Sequence, residues 1–185
     1  NGFNLIVEYL INVENLIVIN EKNKCGETPL TSAIKNSRIH VVEVLCSSEK
    51  VDVNLNDVNY SPLQLAVIQN VLPIVKVIVN ESADRLNINA SVFCNTNPLQ
   101  QALKSDYNDI ALFLLDNPKI DLKVKNNDNR QILSYASETG NIEVVKKILL
   151  IRSNMQKNSS NKKNDEDNNQ IIINDITKSN EDDKK

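Results

Sequence analysis

The sequence predicts an all-α repeat solenoid, in which short pairs of helices stack along one axis. A six-residue motif that typically carries Pro-Leu and always ends in alanine recurs four times, and its alanines stand 33, 36 and 34 positions apart. A unit of that length cannot bury its own apolar face, so the units are expected to share one continuous core. The four copies are Thr28–Ala33, Ser61–Ala66, Asn97–Ala102 and Gln131–Ala136.

A second helix is predicted in every unit by an apolar stripe that begins six to eight residues after each alanine. The spacing of these residues is that of one face of an α-helix. The stripes begin at Ile39, Leu72, Ile110 and Ile142. After each of the first three stripes, a polar stretch leads into alternating apolar and polar residues: Val51 to Asn54, Leu86 to Asn89, and Ile120 to Lys123.

The first helix of each unit carries its own start signal. Thr28, Ser61 and Asn97 can accept a free amide at a helix start, and the proline that follows each fits the first helical position. The fourth unit has Gln131 and Ile132 instead, so it lacks both signals. Pro73 falls in the first turn of a second helix, where it need not break that helix.

Two segments give these units a family resemblance. Residues 20–30 (NEKNKCGETPL) and 138–150 (ETGNIEVVKKILL) resemble the ankyrin repeat, and the likeness covers roughly residues 1–151. It implies two antiparallel helices per repeat and a protruding β-hairpin between repeats. It also implies a left-handed residue in each hairpin, at Gly26, Asn59, Asn95 and Asn129. The family often has a histidine that bonds across repeats. At that position this chain has other polar side chains, whose lengths differ from that of histidine: Thr31, Gln64, Gln100 and Ser134.

We expect the chain to divide into a repeat array over residues 1–152 and a low-complexity, disordered tail over 153–185. Residues 1–20 match only the second helix of a repeat, and the chain begins without Met, so we interpret it as a fragment of a larger ankyrin repeat protein. The array then holds about four and a half repeats. They are a partial repeat at 1–20 and repeats at about 21–54, 55–89, 90–123 and 124–152.

The predicted tail differs in composition from the array. It carries 6 Lys against 7 Asp plus Glu, and its apolar residues after Met155 are Ile171 to Ile173 and Ile176. Such a segment cannot bury enough apolar surface to order by itself. The isoleucine cluster is interpreted as incidental, and a docking motif that orders on binding is the alternative.

Composition argues against several other functions. A net charge of −3 with scattered lysines provides no basic stripe for nucleic acid, and no apolar run reaches the roughly 18 residues that span a bilayer. Cys25, Cys46 and Cys94 lack the spacing of a zinc site or a disulfide framework. With three glycines, one histidine (His40) and no nucleophile or metal motif, we expect no enzyme, metal or cofactor.

We therefore expect a protein-binding module, and the resemblance to the ankyrin repeat implies that it contacts its partner through the hairpin tips and the concave face of the first helices. The aromatic residues Tyr60 and Phe93 are the expected anchors, since aromatic side chains dominate binding hot spots. Simple solvation of these loops is the plainer interpretation. The candidate contact residues are Lys24, Glu27, Lys35, Asp57, Tyr60, Ile68, Gln69, Phe93, Thr96, Lys104, Arg130 and Glu138.

The sequence leaves the identity of the partner open. We expect another protein as partner, no nucleic acid or membrane, a monomer, and a cytoplasmic location with the nucleus also open. The alternative function is a structural, targeting or regulatory arm of a larger protein whose catalytic domain lies outside this chain.

Overall fold

The computed structural model describes residues 17–91, 96–124 and 131–155, and within these ranges the regular structure is helical. The described residues fall into two compact units, and the chain divides between them after Val145. A 3₁₀ turn at Ile17–Asn20 precedes helices that alternate between first and second members of a repeat. These are α1 (Pro29–Lys35), α2 (Ile39–Ser47), α3 (Pro62–Ile68), α4 (Leu72–Glu81), α5 (Pro98–Lys104), α6 (Asn108–Leu115), α7 (Ile132–Thr139) and α8 (142–155).

The helix starts are those that the sequence predicted. Thr28, Ser61 and Asn97 cap α1, α3 and α5 by accepting the backbone amide three residues later, at 3.2, 3.2 and 2.7 Å. Gln131 stands at the start of α7 without a side-chain cap. Pro73 lies in the first turn of α4, which continues unbroken to Glu81.

Within each of the first three repeats, a left-handed residue turns the chain from the first helix into the second. Ser37, Asn70 and Asp106 have φ values of 52°, 56° and 56°. The amide of the next residue donates to the carbonyl of the repeat alanine, as in Arg38 to Ala33 at 2.9 Å. Gly140 takes the left-handed conformation at the matching place after α7, with φ 68°. The carbonyls at each of the three helix ends are thus satisfied by a Schellman-type turn.

The core of the first unit lies between neighbouring repeats. The first helices pack in the order α1, α3, α5, α7, and the second helices in the order α2, α4, α6. Leu30, Leu63 and Leu99 are buried at one position of the first helices, and Leu45, Ile78 and Leu114 at one position of the second. The apolar stripes predicted from the sequence therefore supply the shared core of a solenoid. Ile39 and Ile142, at the starts of their stripes, are exposed.

Three asparagines at equivalent positions tie each repeat to the next. Each side chain donates from Nδ2 to one backbone carbonyl and accepts one backbone amide at Oδ1. The pairs are Asn20 with Lys50 O and Asp52 N (2.9 and 2.8 Å), Asn54 with Arg85 O and Asn87 N (2.7 and 2.7 Å), and Asn89 with Lys119 O and Asp121 N (2.7 and 3.0 Å). Lys123 occupies the fourth equivalent position.

Glutamines add a second link between repeats. Gln64 donates from Nε2 to the carbonyl of Thr96 at 2.7 Å, and Gln100 donates to the carbonyl of Val124 at 3.2 Å. Thr31, at the same position in the first complete repeat, instead bonds within its own cap, to the carbonyl of Thr28 at 3.1 Å. The position that the family often gives to histidine thus still bridges repeats where glutamine occupies it.

The loops before α1 and α3 are tight turns, and no strand is present in 17–91, 96–124 or 131–155, where Gln131 makes an isolated β-bridge. Gly26 has φ 74°, as expected. The expectation for Asn59 was wrong, because its φ is not positive and the Asp57 carboxylate closes that turn instead. Asn95 and Asn129 lie outside the described residues.

The second unit is described over residues 146–155, which are helical throughout. Ile148 is buried, whereas Leu149, Leu150 and Met155 are exposed. None of the helices in the described ranges is long and apolar enough to cross a membrane. The predicted tail and residues 1–16 of the partial repeat lie largely or wholly outside the described residues.

Candidate partner-binding surface

The C-terminal ends of the first helices place four candidate contact residues at one register position. Lys35, Ile68, Lys104 and Glu138 each stand two residues after the repeat alanine, on helices that pack side by side. Lys104 and Glu138 are exposed, and Ile68 is half-buried. We call this set the concave row. Its composition is mixed, with an apolar position between two lysines and an acidic residue at the far end.

Gln69, next to Ile68, joins this surface to the preceding repeat. Its Nε2 donates to the carbonyl of Lys35 at 3.3 Å, so the side chain spans from α3 to that repeat. Its Oε1 is buried and has no hydrogen-bond partner among the described residues. A buried amide oxygen without a partner carries a free-energy cost within the fold.

Three candidate residues pair with one another. The Lys35 ammonium lies 2.9 Å from Glu27 Oε1 and 3.0 Å from Asp57 Oδ2. Glu27 belongs to the turn before α1, whereas Asp57 belongs to the turn before α3, so the ion pairs join two repeats. We call Glu27, Lys35 and Asp57 the ion-pair cluster.

The cluster stabilises its charged forms. The hydrogen bond to Glu27, followed by the one to Asp57, raises the pKa of Lys35. The hydrogen bond from Lys35, with a second from Asn23, lowers the pKa of Glu27. Burial opposes ionisation of Asp57, but the backbone amides of Asn59 and Tyr60, both at 2.7 Å from Oδ1, together with Lys35 lower its pKa overall.

Burial corrects two expectations. The Asp57 side chain is only 4% exposed, because it turns inward to accept the two amides of its own loop and to meet Lys35. Thr96 is also buried, with its carbonyl oxygen accepting from Gln64 at the interface between repeats. Neither residue presents its side chain to solvent as the sequence suggested, and both hold the loops in place.

The remaining candidates separate into exposed residues, half-buried residues and residues that the structure does not describe. Lys24 is exposed in the turn that Gly26 allows, and Tyr60 is half-buried where the Asp57 carboxylate accepts its amide. Phe93 and Arg130 lie outside the described residues. Noncovalent recognition is what the described surface can offer chemically.

Comparison with known proteins fits this geometry. A family model described as ankyrin repeats in three copies matches residues 1–91 and 53–126, which is more than half of the 185 residues. The chain belongs to the ankyrin repeat family. Ankyrin repeats are generally protein–protein interaction modules, so the concave row lies on a scaffold of a kind that binds proteins.

A solved structure shares this ankyrin fold. The ankyrin repeat domain of Bcl-3, described as a unique member of the IkappaB protein family, superposes with a TM-score of 0.71 at 19% identity. The match covers 80% of this chain and 67% of that one. A comparison with curated proteins gave no match. At this identity the likeness to Bcl-3 shows the fold alone.

Sequence reasoning missed the roles of several residues in this ankyrin array. The bridging asparagines recur at a spacing of 34 and 35 residues, and that period was a signal that could have found them. The left-handed residues Ser37, Asn70 and Asp106 stand four residues after each repeat alanine. Asparagine and aspartate tolerate that conformation, so Asn70 and Asp106 at one repeat position were a signal that could have found these turns.

Proposed function

We propose that this ankyrin array binds a segment of another protein along the concave row and the adjoining loop tips. The observation that carries the proposal is the half-buried apolar side chain of Ile68, which stands between a lysine on each neighbouring helix. An apolar side chain of the partner would cover Ile68.

The charges of the surface divide into two roles. Lys35 already meets two carboxylates, so it contributes mainly to joining the repeats. Lys104 and Lys24 are exposed and remain the candidates for attracting acidic groups of a partner. Exposed charges of this kind act chiefly on association rate and salt dependence. Tyr60 and Phe93 remain the proposed aromatic anchors at the tips.

Site-specific photo-crosslinking of the full chain in cell extract tests this proposal. A photoreactive residue at Lys104 should capture a partner, whereas the same residue at Glu43, an exposed position on α2, should not. Ile68→Asp should reduce capture at Lys104, and thermal unfolding checks that the array stays folded despite the loss of a half-buried apolar side chain. Equal capture at both positions, or capture that survives Ile68→Asp, would favour the alternative of a structural or regulatory arm.

A further inference from the structure

Leu149 and Leu150 form an unusual exposed apolar pair. Leu149 stands 13 residues after the repeat alanine, a position held in the earlier repeats by Cys46, Val79 and Leu115. Those three residues are 0%, 4% and 4% exposed, whereas Leu149 is 49% exposed. Leu150, at 62% exposure, stands where the earlier repeats have Ser47, Asn80 and Asp116. The last described helix therefore places leucine at a normally polar position and leaves its neighbour uncovered.

Cys46 shows why the position equivalent to Leu149 is buried in the earlier repeats. The following repeat covers it, because the Arg85 guanidinium donates to the Cys46 carbonyl oxygen and to the Val51 carbonyl oxygen at 2.7 Å. Burial raises the pKa of the Cys46 thiol to about 11. The side chain at this position is thus covered by the following repeat where the interface between repeats is complete.

Basic residues lie close to the exposed leucines in the sequence. Residues 146–155 carry Lys146, Lys147 and Arg152 and no acidic residue, and Lys146 is exposed one helical turn before Leu149 and Leu150. Within the printed sequence, residues 165–176 combine four acidic residues (Asp165, Glu166, Asp167 and Asp175) with the isoleucines 171–173 and 176, and they contain no basic residue. The two segments are complementary in both apolar content and charge.

Chain length permits the two segments to meet. Fifteen residues separate Met155 from Ile171. A connection of that length spans roughly 20 Å on average when it has no regular structure, and the helix from Leu149 to Met155 is about 9 Å long. Docking within one chain also gains a high effective concentration over binding of a separate molecule.

We infer that the segment Asp165–Ile176 docks on Leu149, Leu150 and Lys146 and covers the last repeat in place of a further ankyrin unit. The isoleucines cover the leucines, and the acidic residues face Lys146. Terminal repeats of a solenoid need such a cover to shield their apolar face. This role is independent of the concave row, so it stands or falls separately from the proposed partner binding.

Amide hydrogen exchange in the full chain at low micromolar concentration tests the inference. Changing Ile171, Ile172 and Ile173 together to Ser should make amides 149–153 exchange about tenfold faster, because the helix loses its cover. The matched control changes the adjoining Asn168, Asn169 and Gln170 to Ser and should leave exchange unaltered. Amides of Leu45, Ile78 and Leu114 should stay protected in both variants, which shows that the array is folded.

A charge exchange provides a second, independent test. Lys146→Glu should accelerate exchange over the same amides, and adding Asp175→Lys to that variant should restore protection. Exchange that is identical in the parent and the triple isoleucine variant overturns the proposal. Protection that rises with protein concentration, together with a dimer in light scattering, overturns it too, because a second copy of the chain would then be the cover.

Discussion

The ammonium group of Lys35 lies 3.0 Å from the Oδ2 atom of Asp57, across the boundary between two repeats. The Asp57 carboxylate is buried and also accepts two loop amides, so one side chain closes its own turn and joins that turn to the preceding helix. This contact explains why Lys35, at one end of the concave row, contributes to the cohesion of the array.

Asp57→Asn should lower the free energy of unfolding at pH 7 by about 1 kcal/mol, because it removes the charge facing Lys35 and keeps an oxygen for the two amides. A lowered pKa in the folded state means that the contribution of Asp57 is complete above pH about 4 and is lost as pH falls through the folded value. Urea unfolding from pH 7 down to pH 2 measures it. The variant should lose less stability on acidification than the parent, and parallel curves would contradict the role given to Asp57.

Asn54→Ala should destabilise the array by about 2 kcal/mol, because it leaves the Arg85 carbonyl and the Asn87 amide without their partner. Chemical denaturation compares it with Asn80→Ala, which changes an exposed asparagine on α4 and should alter stability by less than about 0.5 kcal/mol. Similar losses at the two positions would mean that the bridge contributes nothing beyond an ordinary surface contact.

Ser37→Gly should stabilise the protein by about 1 kcal/mol, because serine pays a steric cost at φ 52° that glycine does not. Asn70→Gly should gain less, since asparagine tolerates the left-handed region better than serine. Thermal unfolding of the two variants supplies the comparison. A loss of stability on Ser37→Gly would show that the greater chain entropy of glycine outweighs the relief of strain.

The repeat period, the caps and the two apolar stripes could be predicted because each recurs at a fixed or nearly fixed distance from an alanine. The burial of Asp57 could not, since an aspartate in a polar loop appears exposed until the neighbouring repeat supplies Lys35. The bridging asparagines were not recognised because the chain contains 30 asparagines, and three that recur at one spacing do not stand out among them. The left-handed turns were not predicted because glycine, the residue that usually marks such a turn, is replaced there by Ser37, Asn70 and Asp106.

Gly26→Ala should destabilise the array by about 1–2 kcal/mol through two separable effects. The backbone has φ 74°, which strains any side chain, and an added Cβ would clash with Cγ2 of Val58. Val58 is 67% exposed, so its side chain has room to move. A double-mutant cycle with Val58→Ala separates the effects by denaturant unfolding, and full rescue by Val58→Ala would show that backbone strain contributes nothing.

Gln131→Thr should stabilise α7, the first helix of the last repeat, by about 1 kcal/mol. Gln131 already has the extended backbone of a cap residue, with φ −87° and ψ 159°, but its side chain makes no capping bond. Threonine there would place a hydroxyl where the Thr28 hydroxyl accepts an amide at the start of α1. Gln131→Val is the matched control, since it has the shape of threonine and no oxygen. Hydrogen exchange of the α7 amides should slow by roughly fivefold with threonine and stay unchanged or quicken with valine. Equal effects of the two substitutions would mean that a missing cap is not what limits the stability of this helix.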